Sequence, residues 1–187
     1  MKTTRAGFTL SAFGDEISPD LGEQARVLRE LGIGYLDLRS VWGKNVLRLD
    51  NSDVREIRRV CTQANVRVAC IGSPIGKSPL VASPEDEVAN LRRAFEIAEA
   101  LDTRRVRIFS FYPPDTSSNA GYDAYVPEAV ERLARLADVA ERAGYTLLLE
   151  NEKAIVGDTL VRCHRLLEAI GSPALRFLWD PANFVQV

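Results

Sequence analysis

The sequence holds a single histidine, His164, and a single methionine. A metal centre built on several imidazoles therefore cannot be assembled from this chain alone. Nor does one histidine within a helical stretch serve a strand-end nucleophile, so no Ser-His-Asp or Cys-His set is supported. The three cysteines, Cys61, Cys70 and Cys163, lie far apart without C-x-x-C spacing. They read as reduced, partly buried thiols of a cytoplasmic protein. No apolar run approaches the ~20 residues of a membrane span, and the opening M-K-T-T-R-A-G-F-T-L has no long apolar core of a signal peptide. Neither sign of charge dominates: 24 Lys+Arg stand against 26 Asp+Glu, which leaves no basic stripe to neutralise a nucleic acid. Low-complexity tracts and solenoid repeats are also missing.

What is present is 187 residues at 46% hydrophobic content, enough to bury one sizeable core. Two stretches stand out. Thr146–Glu152, T-L-L-L-E-N-E, is an apolar run of strand length that ends in acids. Leu175–Asn183, L-R-F-L-W-D-P-A-N, repeats the pattern one unit later. A strand that delivers an acid at its C-terminal end, twice in succession, suits a β/α barrel with its site on the top face.

Strand and helix alternate along the rest of the chain. Strands are expected at Phe8–Phe13, Tyr35–Arg39, Val66–Ile71, Arg105–Phe109 and Thr146–Glu150, with a sixth ending at Asp180. In the second, Leu36 and Leu38 face one way and Asp37 and Arg39 the other. A helix is expected after each of the first five strands. The first opens at Ser18-Pro19-Asp20 with Pro in its first turn and stops at Gly32 and Gly34. The second is capped by Asp50 or Ser52, and the third by Ser83-Pro84-Glu85-Asp86. The fourth spans about Tyr125–Ala143 with Val126, Val130, Leu133 and Leu136 on one face, and the fifth about Asp158–Ile170. Tyr112–Tyr122, rich in Pro, Ser and Asn, reads as a long functional or mobile loop.

This succession predicts an α/β fold with a parallel sheet. An open doubly wound sheet is disfavoured because F-G-D-E-I-S replaces the Gly-rich phosphate turn after strand one. An eight-unit barrel usually needs ~250 residues, so the expected architecture is a single (β/α)8 TIM-barrel-type domain over residues 1–187, incomplete after about six βα units and with no closing helix.

Glu150 and Asp180 are the leading candidate site residues. Adjacent strand ends supply the hard oxygen ligands a divalent cation needs; the alternative is that both acids cap loops or pair with rim arginines. Asn151 should point away from Glu150, which favours a supporting role, whereas Asn183 lies close enough to Asp180 to touch the same ligand or to be a plain turn residue. Gly72–Ser78, G-S-P-I-G-K-S, has three residues between its glycines where a Walker A loop requires four, and Pro79 forbids the following helix. That loop still carries Lys77 toward an anionic or polyol substrate. Glu16, Arg39, Trp42 and Lys44 also fall at strand ends, where an aromatic with basic neighbours suits sugar stacking or is simply a solvated rim. His164 is expected on an outer helix.

Taken together, L-L-L-E-N-E, W-D-P-A-N, A-F-G-D-E-I-S and G-S-P-I-G-K resemble the sugar phosphate isomerase/epimerase family of the xylose-isomerase-like TIM barrel superfamily. That superfamily includes ketose 3-epimerases, hydroxypyruvate isomerase and inosose dehydratase. The resemblance implies a divalent cation, Mn, Mg, Co or Zn, held by Glu, Asp, His and Glu from successive strands. Glu150 and Asp180 match the first two; the other two would lie beyond Val187. Asn183 occupies a position where many relatives carry a substrate-contacting His or Asn, and Glu152 stands where several carry His.

The implied chemistry is proton transfer next to a carbonyl of a small sugar or polyol, with Glu150 as the base and an enediolate stabilised by the metal. An inosose-type dehydratase on the same scaffold is the enzymatic alternative, and a non-catalytic barrel fragment is the other. With two ligands of four, weak metal binding and poor turnover are expected. The unpaired edge of strand six should favour association into a homo-oligomer or aggregate. Neither nucleic acid nor a membrane is an expected partner.

Overall fold

The structure, a computed structural model, describes residues 7–114 and 119–187. In chain order it contains β1 (Ser11–Phe13), α1 (Leu21–Glu30), β2 (Tyr35–Leu38), β3 (Ser40–Val41), β4 (Lys44–Asn45), α2 (Asn51–Gln63), β5 (Arg67–Ile71) and α3 (Pro84–Ala100). There follow β6 (Arg105–Ile108), α4 (Asn119–Ala124), α5 (Val126–Ala143), β7 (Thr146–Glu150), α6 (Leu160–Ile170), β8 (Leu175–Leu178) and α7 (Pro181–Phe184). Among the described residues the main sheet has six strands in the order β1-β2-β5-β6-β7-β8, every neighbouring pair parallel. This is the incomplete barrel that the strand–helix succession predicts, with β1 and β8 as its edges.

Alternation on the strands decides what is core. Leu36 and Leu38 on β2, Val106 and Ile108 on β6, and Leu147 and Leu149 on β7 are all buried on the convex side under the helices. Each such side chain contributes roughly 1.5–3 kcal/mol by leaving water. The helices meet them with apolar stripes: Leu21, Ala25 and Leu28 on α1, Val54, Ile57 and Cys61 on α2, Leu91, Phe95 and Ala98 on α3. The buried face of α5 runs through Ala129, Leu133, Leu136, Ala137 and Ala140, while Val126 and Val130 sit at its half-buried margin. All three cysteines are buried and free. No described helix is long and apolar enough to cross a membrane.

Several boundaries differ from the sequence expectation, each for a local reason. β1 begins at Ser11 because Phe8 and Leu10 are 95% and 62% exposed and have nothing to pack on. Pro19 lies outside α1, whose N-cap is Asp20, with a side chain that accepts from Glu23 N. Asp50 caps α2 in a reciprocal box with Asp53, whereas Ser83 makes no capping bond and Pro84 simply occupies the first turn of α3. α6 starts at Leu160 with Thr159 as its cap, and Asp158 instead pairs with Arg162 at 2.7 Å. β8 stops at Leu178, and Asp180 caps the short helix α7, where no closing helix is expected. The long loop expected at Tyr112–Tyr122 is partly taken up by α4; its residues 115–118 lie outside the described residues.

The sequence also gives no warning of the β3–β4 hairpin. Its two-residue turn is Trp42–Gly43, with φ of 53° and 72°, both in the left-handed region that such a turn demands. Trp42 is held there by its N–H, which donates to Pro19 O at 2.7 Å, and by a half-buried ring against the core.

The loop after β5 is docked on the end of β6. Phe109 N donates to Ile75 O and Phe111 N to Gly76 O, each at 2.8 Å. The buried carboxylate of Glu87 receives Gly76 N and the Ser78 hydroxyl. Gly76 has φ of 82°, and a Cβ there would stand 2.0 Å from Phe109 O. Gly76→Ala is therefore expected to cost at least about 2 kcal/mol, a fall in Tm of about 4–8 °C for a chain of this size. Thermal melts followed by circular dichroism check this, and an unchanged Tm would mean that the loop is not docked as described.

Candidate active site

The alternation that buries Val106 and Ile108 on the convex side turns Arg105 and Arg107 to the concave side of β6. In the same way Asp37 on β2 and Leu148 and Glu150 on β7 face inward. They enclose a cavity of about 360 Å³, lined also by Ser11, Phe13, Cys70, Leu178, Trp179 and Asp180. That volume suits a small ligand.

Glu150 closes β7 and is 7% exposed. Its Oε2 accepts from Arg107 Nη1 at 3.3 Å. Burial pushes its carboxyl above the ordinary 4.5; the Arg107 charge opposes that lift, and the negative charge of Asp180 adds to it. Asp180 enters the same cavity from the far end of β8. Its Oδ1 accepts Ala182 N at 2.8 Å and Asn183 N at 3.2 Å.

Asn151 and Asn183 are the supports of that turn. Asn151 is fully buried; its Nδ2 donates to Asp180 O and its Oδ1 accepts Asp180 N, both at 2.8 Å. Asn183 Nδ2 donates to Asn151 O at 2.9 Å. Neither asparagine lines the cavity.

The remaining sequence candidates lie on the rim rather than in the cavity. Arg39 Nε meets Asp15 at 2.7 Å, its Nη2 meets Glu16, and its guanidinium stacks on Phe13 at 4.8 Å. Lys77 Nζ meets Glu152 at 2.7 Å and sits 4.4 Å from the Phe109 ring centroid. Lys44 is taken by Asp53 at 2.8 Å beside the start of α2, and Trp42 forms the hairpin turn. His164 lies on α6 with 74% of its side chain exposed, 3.6 Å from Glu168.

Arg107 is the cavity-lining residue that motif reading misses. It is 5% exposed; besides Glu150 it reaches Gly72 O at 3.2 Å and Ser73 O at 3.4 Å, and its guanidinium lies 5.0 Å from the Phe13 ring and 4.9 Å from that of Phe109. The signal was in R-V-R-I: if Val106 and Ile108 pack outward, both arginines face the lumen.

Two carboxylates on adjoining strand ends are hard oxygen donors of the kind a divalent cation takes. Glu150 Oε1 and Asp180 Oδ2 accept no hydrogen bond among the described residues. Among the described residues no group of three or more His, Cys, Asp and Glu converges on one point.

Asp37 also lines the lumen, where Ser11 Oγ donates to it at 2.7 Å. Burial raises its carboxyl above the ordinary 3.8, against the Ser11 hydrogen bond and the charges of Arg107 and Arg105. An acid raised in the folded state keeps its proton longer than in the unfolded chain, so stability falls as pH climbs through that window. Asp37→Asn is expected to raise Tm at pH 7 by up to about 2–4 °C, the effect of about 1 kcal/mol. The gain should vanish below 3.8, the ordinary value. Melting curves across this range check the sign, and a more stable wild type at pH 7 would show that pairing with the arginines outweighs burial.

Comparison with known proteins fits this fold. The model of the xylose isomerase-like TIM barrel family matches residues 25–187. No curated protein matches the sequence. Among solved structures, the chain is similar to a xylose isomerase-like TIM barrel protein from Mycobacterium smegmatis in complex with magnesium, at 20% identity and TM-score 0.68, covering 89% of this chain and 57% of that one. It is also similar to D-allulose 3-epimerase from Methylomonas sp., at 17% identity and TM-score 0.65, covering 94% and 63%. The IOLI protein with a bound zinc atom superimposes at 13% identity and TM-score 0.77, covering 95% and 64%. The chain thus spans between 57% and 64% of the length of these three. With the family model matching nearly the whole sequence, the chain belongs to the xylose isomerase-like TIM barrel family.

Proposed function

We propose that the lumen belongs to a divalent-metal-dependent isomerase or epimerase of a small sugar or polyol, working by proton transfer next to a carbonyl through an enediolate. One observation carries this reading: Glu150 is a buried carboxyl, raised by that burial, and faces a ligand-sized cavity beside the acid of the next strand. A base poised in this way suits abstraction of a carbon-bound proton.

In the proposed step the Glu150 carboxylate takes the proton from the carbon next to the carbonyl, and the C–H electron pair moves toward the carbonyl oxygen. In an isomerisation the glutamic acid then gives the proton to the former carbonyl carbon while the neighbouring hydroxyl proton passes to the former carbonyl oxygen; in an epimerisation a second acid would have to deliver a proton from the opposite face. Arg107 restrains the Glu150 side chain and offers positive charge to the same region. Asn151 and Asn183 fix the turn that presents Asp180. Trp179 is a cavity-lining aromatic with a largely exposed ring, suited to stacking on a sugar face. Glu150 and Asp180 would hold the cation, whether Mn, Mg, Co or Zn. When bound, such an ion supplies Lewis-acid stabilisation of the charge that develops on substrate oxygens. The magnesium and zinc named for two similar structures support a metal of this kind.

The test is calorimetric titration of Mn2+ into the chain and into the Glu150→Gln and Asp180→Asn variants. With two ligands the wild type should bind weakly, with Kd on the order of 10⁻⁴ to 10⁻³ M. Each substitution should weaken binding by at least about tenfold. Identical isotherms for all three proteins would sink the reading and leave both acids as rim residues.

A further inference from the structure

Arg107 is built differently from the other charged groups near the lumen. Arg39 and Lys77 meet their acids at 2.7 Å, from partly exposed positions on the rim. Arg107 is buried, and its bonds to Glu150, Gly72 O and Ser73 O are all long, between 3.2 and 3.4 Å. A guanidinium pulled into place by a carboxylate settles at roughly 2.7–2.9 Å and often in a fork. Here a single nitrogen faces a single oxygen. Position is set instead by the strand that carries it and by the Phe13 and Phe109 rings that flank it. The Ser73 hydroxyl, which donates to Arg107 O, pins the backbone as well.

Such a group has two consequences for any cation brought to Glu150. Its charge is permanent, because a guanidinium does not lose its proton in proteins. It is also confined: 5% exposed, it lies between the Phe13 and Phe109 rings and against the Gly72 and Ser73 carbonyls. A divalent ion on Glu150 therefore sits beside a fixed positive charge, in surroundings where repulsion exceeds its value in water. In exchange, the metal-free lumen avoids an uncompensated buried carboxylate.

We propose that Arg107 is a fixed internal cation that competes with a divalent metal for Glu150 and so sets how tightly the lumen holds that metal. This rests on the reading of Glu150 and Asp180 as metal-holding residues, and it makes Arg107 a positioning residue that acts through Glu150.

The experiment is Mn2+ titration by calorimetry, with free Mn2+ followed independently by electron paramagnetic resonance. The proteins are the wild type, Arg107→Met, Arg107→Lys and the Arg107→Met/Glu150→Gln double variant. Removing the charge should tighten Mn2+ binding by about tenfold or more, a factor equal to about 1.4 kcal/mol. Arg107→Lys, which keeps the charge, should stay within about threefold of the wild type, and the double variant should lose the gain. If Arg107→Met binds Mn2+ no more tightly than the wild type while Glu150→Gln weakens it, the competition is disproved and the metal reading stands. If Arg107→Met binds tightly and the double variant binds equally tightly, the ion lies elsewhere and both readings fall. Circular dichroism checks folding; should Arg107→Met unfold the chain, Arg107→Gln, which keeps donors for the Gly72 and Ser73 carbonyls, gives the same comparison.

Discussion

Burying a guanidinium and a carboxylate side by side on the concave face of a parallel sheet is the constraint from which the rest of this structure follows. Each ion loses several kcal/mol of hydration, and a single contact at 3.3 Å returns only part of it. The surrounding chain makes up the difference. The loop after β5 turns inward so that Gly72 and Ser73 aim carbonyl oxygens at Arg107. That turn is held by the docking of Ile75 and Gly76 on the backbone of Phe109 and Phe111, and by Glu87 reaching up from α3. A polar pair in the lumen thus dictates the path of a loop and the placement of a buried acid on a helix.

The same pair organises the mouth of the cavity. Arg39, Phe13, Arg107, Phe109 and Lys77 form a continuous series in which cations and rings alternate, with separations between 4.4 and 5.0 Å. Each cation has its own acid: Asp15 and Glu16 for Arg39, Glu150 for Arg107, Glu152 for Lys77. Contacts of this sort are individually worth about 0.5–2 kcal/mol, but arranged in series they restrain one another. Glu16, Arg39 and Lys77, which look like independent rim positions in the sequence, are therefore linked to the lumen through two rings. Lys44 is outside this array because Asp53, placed by the capping box of α2, captures it.

How much of this was legible in the sequence depends on whether the signal was local. Strand ends at Glu150, helix starts at Asp20 and Asp50, and the convex-side residues follow from periodicity and capping, which act over a few residues. Arg107 was overlooked because an arginine within an apolar run reads as a surface interruption. Alternation sets it opposite Val106 and Ile108, but which of the two faces is the lumen depends on the pairing of β6 between β5 and β7, which joins residues far apart in the chain. The β3–β4 hairpin escaped notice for a related reason: its turn places Trp42 at positive φ, a conformation its sequence alone argues against.

Under the proposed function, Asp180 would combine a structural role and a chemical one in one side chain. One carboxylate oxygen is spent as the cap of α7, and Asn151 grips the backbone of the same residue from both sides. The cap restricts the rotational freedom that a lone aspartate after a strand end would otherwise keep, in a residue that lines the cavity. A cation bound there would not have to bear the entropy of ordering that side chain, because the cap and Asn151 have already done so. Glu150 is fixed by the opposite means, burial beside a rigid guanidinium. The two acids are therefore held independently: a perturbation of Arg107 acts on Glu150 while leaving the turn that carries Asp180 intact.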